Sequence, residues 1–140
     1  MAIIVFITQF LSVLTGESLI LSNITSNSMD PALVKGDIVA WMPAKMKDIE
    51  IGDIVVFKSY IKWPNEILIV HRVTDIKRDD KTGITMLETK GDANEWNDQN
   101  DPYIQNPYIR EDNLLGKVIC IGQQPLKIPL IGYIGISLNE

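Results

Sequence analysis

Five side chains carry the chemistry that this sequence offers: Ser26, Ser28, His71, Asp92 and Asp98. A serine nucleophile needs an exposed oxygen and backbone N–H groups placed to receive a developing oxyanion. The segment Ser26-Asn27-Ser28-Met29-Asp30-Pro31 meets that need, because it follows an extended stretch and turns sharply. Pro31 fixes its own φ and keeps Asp30 out of the helical region. Ser26, two residues before Ser28, is placed to aim a hydroxyl at the same oxyanion. A plain polar turn would read the same way, since Ser, Asn, Asp and Pro dominate such turns.

His71 is the only histidine in the chain. Any imidazole base must therefore be His71, and an ordinary imidazole is largely neutral at neutral pH and able to accept a proton. One histidine and one cysteine leave too few nitrogen and sulfur ligands for zinc. The competing reading is a structural histidine on a strand. Gly91-Asp92-Ala93-Asn94-Glu95-Trp96-Asn97-Asp98 sets two aspartates six apart in a loop that opens on a glycine. One carboxylate there is able to orient the imidazole and stabilise imidazolium. The same residues also suit an Asx-rich turn, or a calcium loop with Asp92, Asn94, Asn97 and Asp98 as ligands. The spacing does not follow the alternating EF-hand pattern.

These residues must be held by β-structure. Ser18 to Ile24 reads as extended, and Asp37 to Met42 and Asp53 to Lys58 read as short strands, each announced by a Gly-Asp pair. Ile67 to Lys77 is the longest strand candidate, with His71 sharing a face with Ile69 and Val73. It passes through the polar turn Arg78 to Gly83 into Ile84 to Thr89, a hairpin. Gly91 to Asn113 reads as mostly loop, and Leu115 to Gly122 as a further strand. The pattern predicts a mainly β domain: a bent antiparallel sheet or partly closed barrel.

Length and composition bound the rest. The chain has 140 residues, of which 46% are hydrophobic, enough for one packed domain. Its formal charge of −5 offers no basic face, so a nucleic-acid partner is not expected. Cys120, the only cysteine, lies in an apolar strand and cannot form an internal disulfide. Residues 1–15 form a short apolar segment, expected as a short helix, and residues 16–140 form the β domain. Ala2 to Leu14 is shorter than the ~20 residues that cross a bilayer as an untilted helix. A membrane anchor, a surface segment and a core helix all remain open for it. The apolar stretch Ile128 to Ile136 poses the same question as a last strand or a second anchor.

Taken in order, these segments resemble the type I signal peptidases, in the archaeal and endoplasmic-reticulum branch that uses Ser, His and Asp. Ser26-x-Ser28-Met29-x-Pro31 is similar to the nucleophile box, and Val70-His71-Arg72-Val73 to the box that carries the general base. Gly91-Asp92-Ala93-Asn94 through Asp98 resembles the last box, with its two aspartates. The Gly-Asp strands at Gly36-Asp37 and Gly52-Asp53 and the closing segments Gly116 to Ile119 and Ile128 to Tyr133 also fit. The resemblance runs from about Leu19 to about Tyr133, most of the chain.

That resemblance implies the sheet of the signal peptidase and LexA-like type. It implies Ser28 as nucleophile, His71 as base, Asp98 orienting His71, and Asp92 supporting the site. The oxyanion hole would then comprise the Ser28 N–H and the Ser26 hydroxyl, with Met29 and Ile24 flanking the substrate. The implied activity is removal of signal peptides from secretory preproteins with A-x-A cleavage sites, with no cofactor and no metal. The implied setting is a membrane, with the catalytic domain on the extracytoplasmic or lumenal side, in contact with lipid and accessory membrane subunits. Two other functions compete: an inactive peptide-binding module on the same fold, and a self-cleaving regulator of the LexA type. The latter family uses lysine as base and carries a DNA-binding domain, neither of which is seen here.

Overall fold

The computed structural model of the chain describes residues 18–59, 67–103 and 106–129. The strands are β1 (Ile20–Asn23), β2 (Ile38–Pro43), β3 (Ile54–Lys58), β4 (Leu68–Arg78), β5 (Thr85–Lys90), β6 (Leu114–Val118), β7 (Cys120–Ile121), β8 (Gln124–Pro125) and β9 (Lys127–Ile128). Two short 3-10 turns, Met46–Asp48 and Asp98–Asn100, complete the elements. The main sheet runs β1-β2-β6-β3-β4-β5, with β9 also pairing with β2. Every pairing within it is antiparallel.

The sequence Ile54-Val55-Val56-Phe57 is apolar without alternation because β3 is buried on both faces. Ile54 and Val56 pack on one side with Ile24, Met29, Leu33, Val39, Trp41 and Val118. Val55 and Phe57 pack on the other with Ile49, Val73, Leu87, Ile109 and Leu114. β4 is less buried and alternates between the same two cores: Val70 packs against the first and Ile69 against the second. The expected hairpin is present, with a register shift between Val73 and Asp75. The Gly-Asp pairs ahead of β2 and β3 do what the turns demand, since Gly36 and Gly52 adopt φ of 98° and 96°.

Of the two expected forms, the described residues take that of an antiparallel sheet, which remains an open path; no barrel closes among them. β1 lies at one end, and at the other β5 meets only a single bridge, Leu87 to Ile109. The strand expected over Leu115 to Gly122 is interrupted at Ile119, whose N–H turns to Ala40 O while its carbonyl accepts from Leu126 N–H. The chain then folds back as the β7–β8 hairpin. Finally, β9 returns to pair with β2, so the start of the Ile128 to Ile136 stretch is a strand. The expected N-terminal helix over residues 1–15, and the apolar residues from 130 onward, lie outside the described residues. Among those described, no helix is long and apolar enough to cross a membrane.

Candidate active site

Ser28 sits in the turn between β1 and β2. The Asn27 side chain closes this turn by accepting from Lys35 N–H at 2.9 Å, and Leu33 N–H donates to Met29 O at 3.0 Å. The Asp30–Pro31 peptide is cis. Behind the turn, the fully buried Asp37 carboxylate accepts from Val34 N–H and pairs with Lys127 of β9, each at 2.9 Å. Met29 plunges into the core and anchors the segment from below, leaving Ser28 half-buried and Ser26 exposed.

His71 projects from the middle of β4, opposite Val55 in β3. Its ring meets Phe57 edge-on, with centroids 6.4 Å apart, so one side of the imidazole is apolar. Nε2 lies 3.1 Å from Ser28 Oγ, and Nδ1 lies 2.6 Å from Asp98 Oδ2. Asp98 opens the second 3-10 turn and reaches back under β4. A carboxylate only accepts hydrogen bonds, so the contact with Asp98 puts the imidazole proton on Nδ1. Nε2 is then bare and able to accept the Ser28 hydroxyl proton. Ser26 Oγ is 3.2 Å from Ser28 Oγ, and the two hydroxyls are within hydrogen-bonding reach.

Asp92, the other aspartate of the loop, does not touch His71. It accepts two hydrogen bonds from Arg72, at 2.9 Å from both Nε and Nη2. Arg72 Nη1 also donates to Gly52 O. Hydrogen bonding to Asp92, together with its charge, raises the Arg72 pKa above its ordinary value against the desolvation of partial burial. The fork ties the Gly91–Asp92 turn to β4, and that turn holds the Ser28 segment: Ala93 N–H donates to Ser28 O at 2.9 Å. Gly91 lies so near that a Cβ there would come 2.6 Å from Ser28 O. Three of the four residues of the alternative calcium loop are engaged elsewhere. Asp92 is engaged by Arg72, Asp98 by His71, and Asn97 donates through Nδ2 to Glu88 Oε1.

A groove of about 310 Å³ opens beside Ser28 and His71. One wall is Asn23 to Ser26, and the other is the start of β4 from Ile67 to Val70. Ile24 and Met29 border it while being almost wholly buried. Ile67 and Leu68 are half exposed along its rim. Sequence reasoning named Ile24 and Met29 but not this β4 wall, although the apolar run before His71 was visible. It also missed Arg72 as the partner of Asp92, for which the spacing carried no signal. Thr89, which donates to Asp98 Oδ2 at 2.7 Å, was missed as well. The hairpin register gave a signal for it: Thr89 pairs with Val73, two residues beyond His71 on the same face.

No protein-family profile matches the chain. Curated proteins do. The signal peptidase complex catalytic subunit SEC11C of Homo sapiens is 34% identical over 130 residues, covering 93% of this chain and 62% of the relative. The Mus musculus protein of the same name gives the same values. Signal peptidase complex catalytic subunit SEC11 of Fusarium vanettenii is 30% identical over 132 residues, covering 93% of this chain and 70% of the relative. The chain thus spans less than two thirds of the length of the mammalian relatives. The similarity extends over both Gly-Asp strands, the serine turn, the histidine strand and the aspartate loop, and by it the chain belongs to the family of signal peptidase complex catalytic subunits.

Proposed function

We propose that this chain is a membrane-associated serine endopeptidase that removes N-terminal signal peptides from secretory preproteins. The observation that carries the reading is the unbroken hydrogen-bonded series Ser28–His71–Asp98, with distances of 3.1 and 2.6 Å, opening on an apolar groove. In this reading His71 Nε2 takes the Ser28 hydroxyl proton as Oγ attacks the scissile carbonyl. The oxyanion is received by Ser28 N–H, which no acceptor takes among the described residues, and by the Ser26 hydroxyl. His71 then passes its proton to the leaving amine, and water, deprotonated in turn by His71, releases the acyl group from Ser28.

An extended peptide fits between the Asn23–Ser26 wall and the start of β4, where backbone groups bind along its length and alternate side chains enter the groove. Small residues at the first and third positions before the cut, the A-x-A pattern, follow from the family. Accessory membrane subunits, contact with lipid and an extracytoplasmic or lumenal catalytic domain belong to the same proposal, supported by the word "complex" in the relatives' names.

The test is cleavage of a purified preprotein with an A-x-A signal in detergent micelles, comparing wild type with Ser28→Ala and His71→Ala. Wild type alone is expected to cut after the A-x-A site, because both the hydroxyl and the imidazole are needed for attack. Undiminished cleavage by either variant would contradict the assignment.

A further inference from the structure

The Asp98 carboxylate oxygen that meets His71 serves two donors. Thr89 Oγ1 lies 2.7 Å from Asp98 Oδ2, the same atom that faces His71 Nδ1. Thr89 is fully buried in β5, opposite Val73. Gln99, also buried, accepts Thr89 N–H on Oε1 at 2.9 Å. Its Nε2 approaches Thr89 Oγ1 at 3.4 Å and Pro107 O at 3.3 Å. Proton accounting sets the direction of these bonds. An amide nitrogen only donates, so Thr89 Oγ1 accepts from Gln99, and its single proton is left for Asp98.

We propose that Thr89 is a positioning residue for the acid of the site, fixing through its hydroxyl the carboxylate oxygen that orients His71. This rests on the reading of Ser28, His71 and Asp98 as the catalytic set. Asp98 is carried by a three-residue 3-10 turn in a loop, while His71 is carried by a long strand. The terminal carboxylate torsion is soft and two-fold, so one hydrogen bond leaves the group free to swing or to exchange oxygens. A second donor on the same oxygen removes that freedom. The donor comes from β5, the strand hydrogen-bonded to β4, so the loop-borne acid is referred to the same ladder as the base. Thr89 does not line the substrate groove, and its effect falls on turnover, not on substrate binding.

The experiment compares the full chain with Thr89→Val, which removes the donor, and Thr89→Ser, which keeps it. Preprotein cleavage and the far-downfield proton NMR resonance of His71 Nδ1–H are both followed. For Thr89→Val, kcat is expected to fall about 10- to 100-fold with KM unchanged, the range for losing a hydrogen bond to a charged group. The resonance should weaken or move upfield. Thr89→Ser should restore both. A Thr89→Val protein that retains kcat and resonance overturns the proposal, as does a Thr89→Ser protein that matches Thr89→Val. If Thr89→Val does not fold, Thr89→Ser against Thr89→Ala makes the same comparison, and equal kcat and resonance in those two overturns it. The resonance reports the hydrogen bond whether or not the chain cleaves preproteins. A wild type without turnover would therefore count against the peptidase reading, while the resonance pattern alone would decide the role of Thr89.

Discussion

The His71 and Asp98 side chains are 11% and 12% exposed, and Ser28 beside them is half-buried at the groove. A charge interaction between His71 and Asp98 is correspondingly less screened than it would be at the surface. Asp98→Asn keeps the shape and removes the charge that stabilises imidazolium. Steady-state kinetics should show kcat lowered by about 10³- to 10⁴-fold with KM little changed, by analogy with the same change in serine proteases. A loss of less than about tenfold would mean that His71 works without its carboxylate.

At the scale of elements, the serine turn and the histidine strand are joined through the loop after β5. Arg72 clamps Asp92, Ala93 N–H holds Ser28 O, and Gly91 allows the backbones to approach. Gly91→Ala would place a Cβ 2.6 Å from Ser28 O and 2.7 Å from Asn94 Nδ2, so the serine turn must shift. The expected outcome is a folded protein whose kcat falls about 100-fold, as for a reactive group displaced by about 1 Å. Cleavage assays together with circular dichroism would check it. Much of this layer was legible in the sequence. Hydrophobic runs and Gly-Asp turns located β1 to β5, because those strands are defined by local pattern. Three features were not legible: the break at Ile119, the return of β9 to β2, and the Arg72–Asp92 pair. Each is fixed by a partner distant in the chain: Ala40, Val39 and the Asp92 loop, respectively. The two-residue strands β7, β8 and β9 are also too short to announce themselves by periodicity. The family resemblance pointed to Ser28, His71 and Asp98, and the structure brings these three side chains into contact, while Thr89 stood out only once the β4–β5 register was known.

For the molecule as a whole, two cores sandwich β3, and Ser28, His71 and Asp98 come together from the turn after β1, the middle of β4 and the loop after β5. Lys127 in β9 pairs with the buried Asp37 behind the serine turn, and the aspartate loop closes from the side of β5. The site is therefore a product of the complete sheet, not of one segment. The peptidase account requires that this assembled site make Ser28 nucleophilic. The most direct measurement is reaction of the full chain with a serine-directed acylating or phosphonylating probe, with the adduct located by mass spectrometry. The account predicts one adduct, on Ser28, lost in His71→Ala and strongly slowed in Asp98→Asn. An adduct on another residue, or labelling of Ser28 that is indifferent to His71, would contradict it.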